Sequence, residues 1–317
     1  MDPVSLILWP IKWVIELILV AFHWLWTLIG MNPDNGATWV LSIVGLVLVV
    51  RATLIPLFVR QIKNQRRMLE VAPQIKKIQE RYKGKKDQFS REAMSRETMA
   101  LYKKTGTNPL TSCLPMLLQT PIFFGLYTVL HDAQNDKAGV GFLNFDLATS
   151  FAKSVFLGAP LKETFIGAWN HGGPVPVLIL APVMIVVMTA SQFITQLQIV
   201  SKNMSPETKA SRMFQQQRML LYLLPLVFAV TGVAFPLGVM FYWLVSNFWT
   251  MVQQFIVIRQ MPTPGTEAAR AREARLLKRG KLVVEDPRTE ADPVVEVKKS
   301  QREQPKGKSR SKKKGHR

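Results

Sequence analysis

One arginine in this chain stands where hydrocarbon disfavours it. Arg51 lies inside the apolar run Trp39–Val59, with Val49, Val50 and Ala52 beside it. An arginine at a bilayer centre costs about 2.5–3.5 kcal/mol on insertion scales. No Asp or Glu lies in any other core apolar run to pair with it. Two arrangements relieve the cost. The side chain snorkels toward an interface, nine residues short of Arg60, or it faces an aqueous pocket that takes something polar or anionic. Other runs carry polar stripes at helical spacing. Thr189, Gln192, Thr195 and Gln196 share one face, and Trp243, Asn247, Thr250 and Gln254 follow i, i+4, i+7, i+11. Gln119 sits one turn from Pro115. A single stripe is ordinary helix–helix hydrogen bonding. Several stripes beside an unpaired arginine point to a hydrated groove, with Arg51, Gln119, Gln192, Gln196 and Asn247 as its candidate lining. Covalent chemistry has no support. There is no Walker A string, no His-Glu-x-x-His, no metal-ligand spacing and no credible Ser/His/Asp set. No cofactor and no enzymatic activity are expected.

The elements that must hold these residues follow from composition. The chain has 317 residues, 48% hydrophobic and 20% charged, with a net charge of +20. Greasiness and basicity must therefore be segregated along it, as in a polytopic membrane protein. Cys113 is the single cysteine, so no internal disulfide forms. Runs long enough to span occupy roughly 39–59, 112–130, 175–199, 219–236 and 238–258. Phe235-Pro236-Leu237-Gly238 breaks the last apolar stretch into a tight hairpin. Pro56, Pro115, Pro121, Pro182 and Pro225 suit bent helices around a cavity.

Charge sorts by loop. Residues 60–104 hold 14 Lys/Arg against 5 Asp/Glu, residues 200–218 hold 4 against 1, and the tail from Arg259 holds 18 against 8. Residues 131–174 hold 3 against 4. The positive-inside rule places the basic loops and the C-terminus in the cytoplasm. The first segment, Val4–Ile29, has two readings. Ser5, Lys12, Glu16, His23 and Thr27 form one narrow stripe and four tryptophans flank it. That fits an interfacial amphipathic helix on the outer face, leaving the N-terminus outside, and it fits a sixth span. Residues 60–104 read as a helical hairpin turning at Lys83–Asp87. It is either a solvated arm drawn to anionic lipid or a docking arm for a partner. The tail includes a short basic helix at Glu267–Arg279 and then low-complexity sequence. Its charge suits anionic lipid or RNA phosphates. The resulting organisation is an N-terminal helix (1–30), a first core span (31–59), a basic hairpin (60–110), the remaining spans with loops 131–174 and 200–218 (111–258), and a basic tail (259–317).

Three strings carry a family resemblance. Asn108–Tyr127, with its Pro115 and Gln119-Thr120-Pro121, resembles the second core span of the YidC/Oxa/Alb membrane insertases. Phe235–Gly238 followed by Tyr242–Gln254 is similar to that family's last hairpin, and Arg51–Leu57 to its first core span. The resemblance runs over residues 5–258 and is to the shorter, Gram-positive type. It implies an all-α polytopic fold with five core helices around a hydrophilic groove, open to cytoplasm and lipid and closed to the outside. It implies that Arg51 attracts polar or acidic parts of a nascent chain in a bacterial plasma membrane. The partners it implies are nascent membrane proteins, a ribosome, with rRNA met by the tail, and a Sec translocon. Loop 131–174 is longer than the type suggests and has no function assigned. A small-solute transporter or channel with Arg51 as an anion site is the alternative; the internal repeat it calls for is not seen in the sequence.

Overall fold

The structure is a computed structural model and describes residues 3–85, 87–107, 114–206, 209, 223 and 225–280. It is a helical bundle with one small hairpin of strands. The helices are α1 (Pro3–Leu28), α2 (Gly36–Arg81), α3 (Gln88–Thr105), α4 (Leu114–Gln134), α5 (Phe145–Lys153), α6 (Phe165–Asn170), α7 (Val175–Lys202), α8 (Leu237–Gln260) and α9 (Glu267–Lys278). Residues 225–232 are also helical. The strands β1 (Val155–Phe156) and β2 (Ala159–Pro160) pair antiparallel. Among the described residues three helical stretches are long and apolar enough to cross a membrane: Leu6–Leu28, Gly36–Asn64 and Val175–Lys202. This is a membrane protein of the all-α class, with that one short strand pair as its exception among the described residues.

The helix α2 does not end where its apolar composition ends. It runs unbroken for 46 residues, from the Asn35 cap, whose side chain accepts from the Ala37 N–H at 2.8 Å, to Arg81. At 1.5 Å per residue it is about 70 Å long, more than twice a hydrocarbon core. Its basic second half and α3 form an antiparallel arm. Glu97 ties the arm together, accepting from Tyr82 Oη at 3.0 Å and pairing with Arg81 at 2.9 Å. Asp87 caps α3 through the Ser90 N–H, and Gly106 ends it at φ 62. Helical geometry continues through Pro56, Pro121 and Pro182. Each of these prolines frees one carbonyl a turn earlier without stopping its helix.

Burial is uneven along the bundle. On α2 the buried side chains cluster between Thr38 and Val47, with Gln61, Val71 and Ile78 isolated further along; on α4 they run from Leu126 to Gln134; on α8 they are concentrated in Leu237–Tyr242. The three clusters lie at one end. A cap made by residues 135–174 covers that end. Leu143, Ala148, Phe151 and Leu161 of the cap pack with Trp39, Leu130, Val177 and Met240 in one apolar core. The cap also satisfies the first turn of α8: Leu237 N–H donates to the Glu163 carbonyl at 3.0 Å and Gly238 N–H to the Leu161 carbonyl at 2.9 Å. Those amides have no partner within the helix.

Gly36 is where α2 meets the cap. A β-carbon there would overlap the Val155 backbone, which is bridged to Asn35. Backbone cannot rotate away as a side chain can. Gly36→Ala therefore forces β1 off α2, and overpacking of this kind costs about 1–3 kcal/mol. The expected result is a lower thermal midpoint in detergent and faster proteolysis within 135–174, with the arm 60–105 unaffected.

Candidate functional site

Below the capped end, polar side chains join apolar ones in the interior. Arg51 is half-buried on α2 and its Nη2 donates to the Ser246 hydroxyl of α8. Gln119 Nε2 of α4 donates to Tyr242 Oη of α8 at 3.2 Å. Gln192 Nε2 of α7 reaches Asn247 Oδ1 of α8 at 3.5 Å, the loosest of the three. Each neighbouring helix is thus tied to α8 by one polar pair. Tyr242 and Ser246 are four residues apart, so one face of α8 presents both. Gln196 is half-buried one turn beyond Gln192 and has no hydrogen bond among the described residues.

Of the expected lining, Arg51, Gln119, Gln192 and Asn247 come together around α8; Gln196 is not tied to it. Tyr242 and Ser246 complete the set. Both sit inside the string that carries the family resemblance, and the i, i+4 relation to each other was the signal available for them. Trp243 does not join the polar set. Its ring packs against Phe123, Phe228 and Phe235 at centroid distances of 5.5, 5.3 and 5.0 Å. This aromatic layer lies one turn closer to the cap than Asn247.

Several polar atoms in this half are buried without a partner among the described residues: both amide atoms of Gln61, Gln198 Oε1 and Asn247 Nδ2. Gln61 is only 3% exposed. Buried carboxamide atoms left unpaired cost about 1–3 kcal/mol each, so these atoms are places for water or another hydrogen-bonding group. Two small cavities of about 10 Å³ each flank the polar pairs, space for at most one water. One is lined by Arg51, Gln119, Tyr242, Val47, Ile122 and Ile15. The other is lined by Met188, Thr189, Gln192, Phe228 and Trp243. Ile15 belongs to α1, so the first helix forms a wall beside Arg51.

The polar stripe of α1 is turned inward. Glu16 is 0% exposed and accepts from the Val140 and Gly141 N–H groups at 2.9 and 2.7 Å. Lys12 pairs with Asp132 at 3.2 Å. His23 stacks on Trp39 and bonds the Pro33 carbonyl at 2.9 Å. The exposed face of α1 is apolar, with Leu6, Ile7, Val14, Leu17, Trp24 and Leu28.

Residues 30–264 match the family model of the 60Kd inner membrane protein, which takes in the three polar pairs around α8 but not the polar contacts of α1. This chain belongs to that family, the YidC/Oxa/Alb insertases. It is 44% identical over 312 residues to the membrane protein insertase YidC of Tropheryma whipplei, covering 96% of each chain. It is 45% identical to the YidC of Streptomyces avermitilis over 86% of this chain and 62% of that protein. It is 31% identical to the YidC of Mycobacterium tuberculosis over 89% of this chain and 81% of that one. The stretch that matches the family model begins after α1 and ends before α9. The matched stretch thus takes in α2 to α8, with the arm and the cap.

Proposed function

We propose that this chain is a membrane protein insertase that receives nascent hydrophobic segments in a polar groove and releases them to the bilayer. The observation that carries the reading is the asymmetry of packing. The bundle is densely packed at the capped end, and from the level of Arg51 guanidinium, amide and hydroxyl groups enter its interior among the apolar side chains. A hydrophilic flank enters from the uncapped end, where Arg51, Gln119 and the unpaired amides of Gln61 and Asn247 substitute for water. The apolar segment moves sideways into lipid. Burial of about 20 apolar residues drives the step, so nucleotide hydrolysis in this chain is not required.

The orientation follows from charge. The basic arm, the loop 200–218 and α9 face the cytoplasm, and the cap lies outside. In this reading the five core helices are α2, α4, α7, the helix through 225–232, and α8. The inward stripe of α1 supports its role as a sixth span. An interfacial helix turns its polar side to water, whereas α1 turns an apolar side outward. A spanning α1 places the N-terminus in the cytoplasm. The arm, α9 and the basic residues beyond it, which lie outside the described residues, supply the charge for anionic lipid, for ribosomal RNA phosphates and for docking a ribosome or Sec translocon.

A photo-reactive side chain placed at 119, 192 or 247 should crosslink to a ribosome-bound nascent client. The same group at Ile43 or Met240, in the solid end, should not. Equal crosslinking at both levels, or none at 119, 192 and 247, contradicts the groove.

A further inference from the structure

The β1–β2 turn holds a residue that water does not explain. Leu157 has φ 50 and Gly158 has φ 79. Two consecutive left-handed residues make a type I′ hairpin turn, which favours Asn-Gly or Gly-Gly. Leucine is strained at such a position, and here its side chain is 75% exposed. A strained leucine pointing into water gains nothing for the fold.

Its surroundings say what covers it. A β-carbon on Gly158 would touch Pro176, so the turn lies against the first turn of α7. The five most exposed apolar residues of α7 are Val175, Ile179, Val183, Val186 and Ile194. At about 100° per residue, these and the less exposed Val187, Phe193 and Leu197 fill one arc of roughly 120°, and Pro176 falls inside it. That arc is the lipid-facing side of α7. The hairpin tip is therefore placed over lipid, not over the bundle axis. Trp169 of α6, 69% exposed, stacks on Phe165 at 6.0 Å just before the same helix begins. Tryptophan favours the membrane–water interface. Lys153 and Lys162 are exposed at the base of the hairpin, within reach of anionic headgroups once the tip is seated.

We propose that the cap anchors to the outer-leaflet interface through Leu157 and Trp169. The inference rests on the bundle spanning a membrane and is independent of what the groove carries. Loop 131–174 then does more than close the bundle. It also holds the closed end of α7 at a set depth.

The test uses full-length protein with Cys113 replaced by serine and single cysteines introduced as L157C, W169C, K137C and V183C. Each is labelled with an environment-sensitive fluorophore and reconstituted in vesicles of phosphatidylglycerol and phosphatidylethanolamine. Lipids carrying a nitroxide near the headgroup report lipid contact, and iodide reports water. Position 183 must be quenched by nitroxide, since failure there would contradict the spanning bundle itself. With that control met, 157 and 169 should emit to the blue of 137, be quenched by nitroxide lipid, and be several-fold less accessible to iodide than 137. Iodide quenching equal to that at 137, without nitroxide quenching, overturns the anchor. Shielding from both quenchers also overturns it and points to a protein contact.

Discussion

Clients with acidic flanks should insert about tenfold more slowly through Arg51→Ala, while clients with neutral flanks should stay near the wild-type rate. A guanidinium and a carboxylate about 6 Å apart attract by about 3 kcal/mol at an effective dielectric near 20. About half of that, felt at the rate-limiting entry, is a factor of ten. The neutral flank draws only on hydrogen bonds, and Gln119 and Asn247 remain to supply them. Arg51→Lys keeps the charge but loses the planar fork that reaches Ser246, so it should fall between the two. Protease protection of clients with matched flanks, read over time, measures this. Equal loss for both flanks would reduce Arg51 to a structural tie between α2 and α8.

Glu16→Ala should be the most damaging substitution outside the groove. The carboxylate is fully buried and is the acceptor for two backbone N–H groups, those of Val140 and Gly141. Its removal leaves both without a partner, at about 1–3 kcal/mol each. A β-carbon on Gly139 would overlap the same carboxylate, so Gly139→Ala should have the same effect from the opposite side. Both variants release α1 from the cap. Loss of α1 removes Ile15 from the wall beside Arg51. The expected signs are a lower thermal midpoint in detergent and cleavage near 138–141 by added protease. Glu16→Gln keeps one good acceptor and should be milder. Unchanged stability in both Glu16→Ala and Gly139→Ala would mean that α1 is not clasped there.

The fold was legible wherever one physical signal dominated. The apolar runs around 39–59 and 175–199 stand out by length, and the spans found at Gly36–Asn64 and Val175–Lys202 include them. The proline–glycine turn at 235–238 separates helical residues 225–232 from α8. Elsewhere the signals were too weak or too local. The composition of α2 changes at Arg60, but helix propensity does not, so the helix continues into the arm. The cap is built from elements of two to nine residues, and such short pieces take their structure from what they pack on. The stripe of α1 was plain, but periodicity says only that one side differs from the other. It does not say whether the polar side meets water or protein.

The site divides in the same way. Arg51 was legible because its position is costly without a use. Gln119, Gln192 and Asn247 were legible from stripes and strings. Their partners were less so, because Tyr242 is a common interior residue and Ser246 a neutral one. Only the crossing of α8 past α2 and α4 makes them acceptors for Arg51 and Gln119. Trp243 shows the opposite error. Helical spacing put it with the polar stripe, whereas its ring joins Phe123, Phe228 and Phe235.

The most direct measurement is insertion by the purified protein alone. The chain is reconstituted in liposomes, and a ribosome-synthesised single-span client with an acidic flank is supplied. Protease protection of the client is scored against empty vesicles and against vesicles holding Arg51→Ala. Protection by the wild type, without added nucleotide beyond translation, and a clear loss in the variant are the predicted result. No protection above empty vesicles, together with anion flux through the same liposomes, would contradict the insertase account and favour a solute pathway past Arg51.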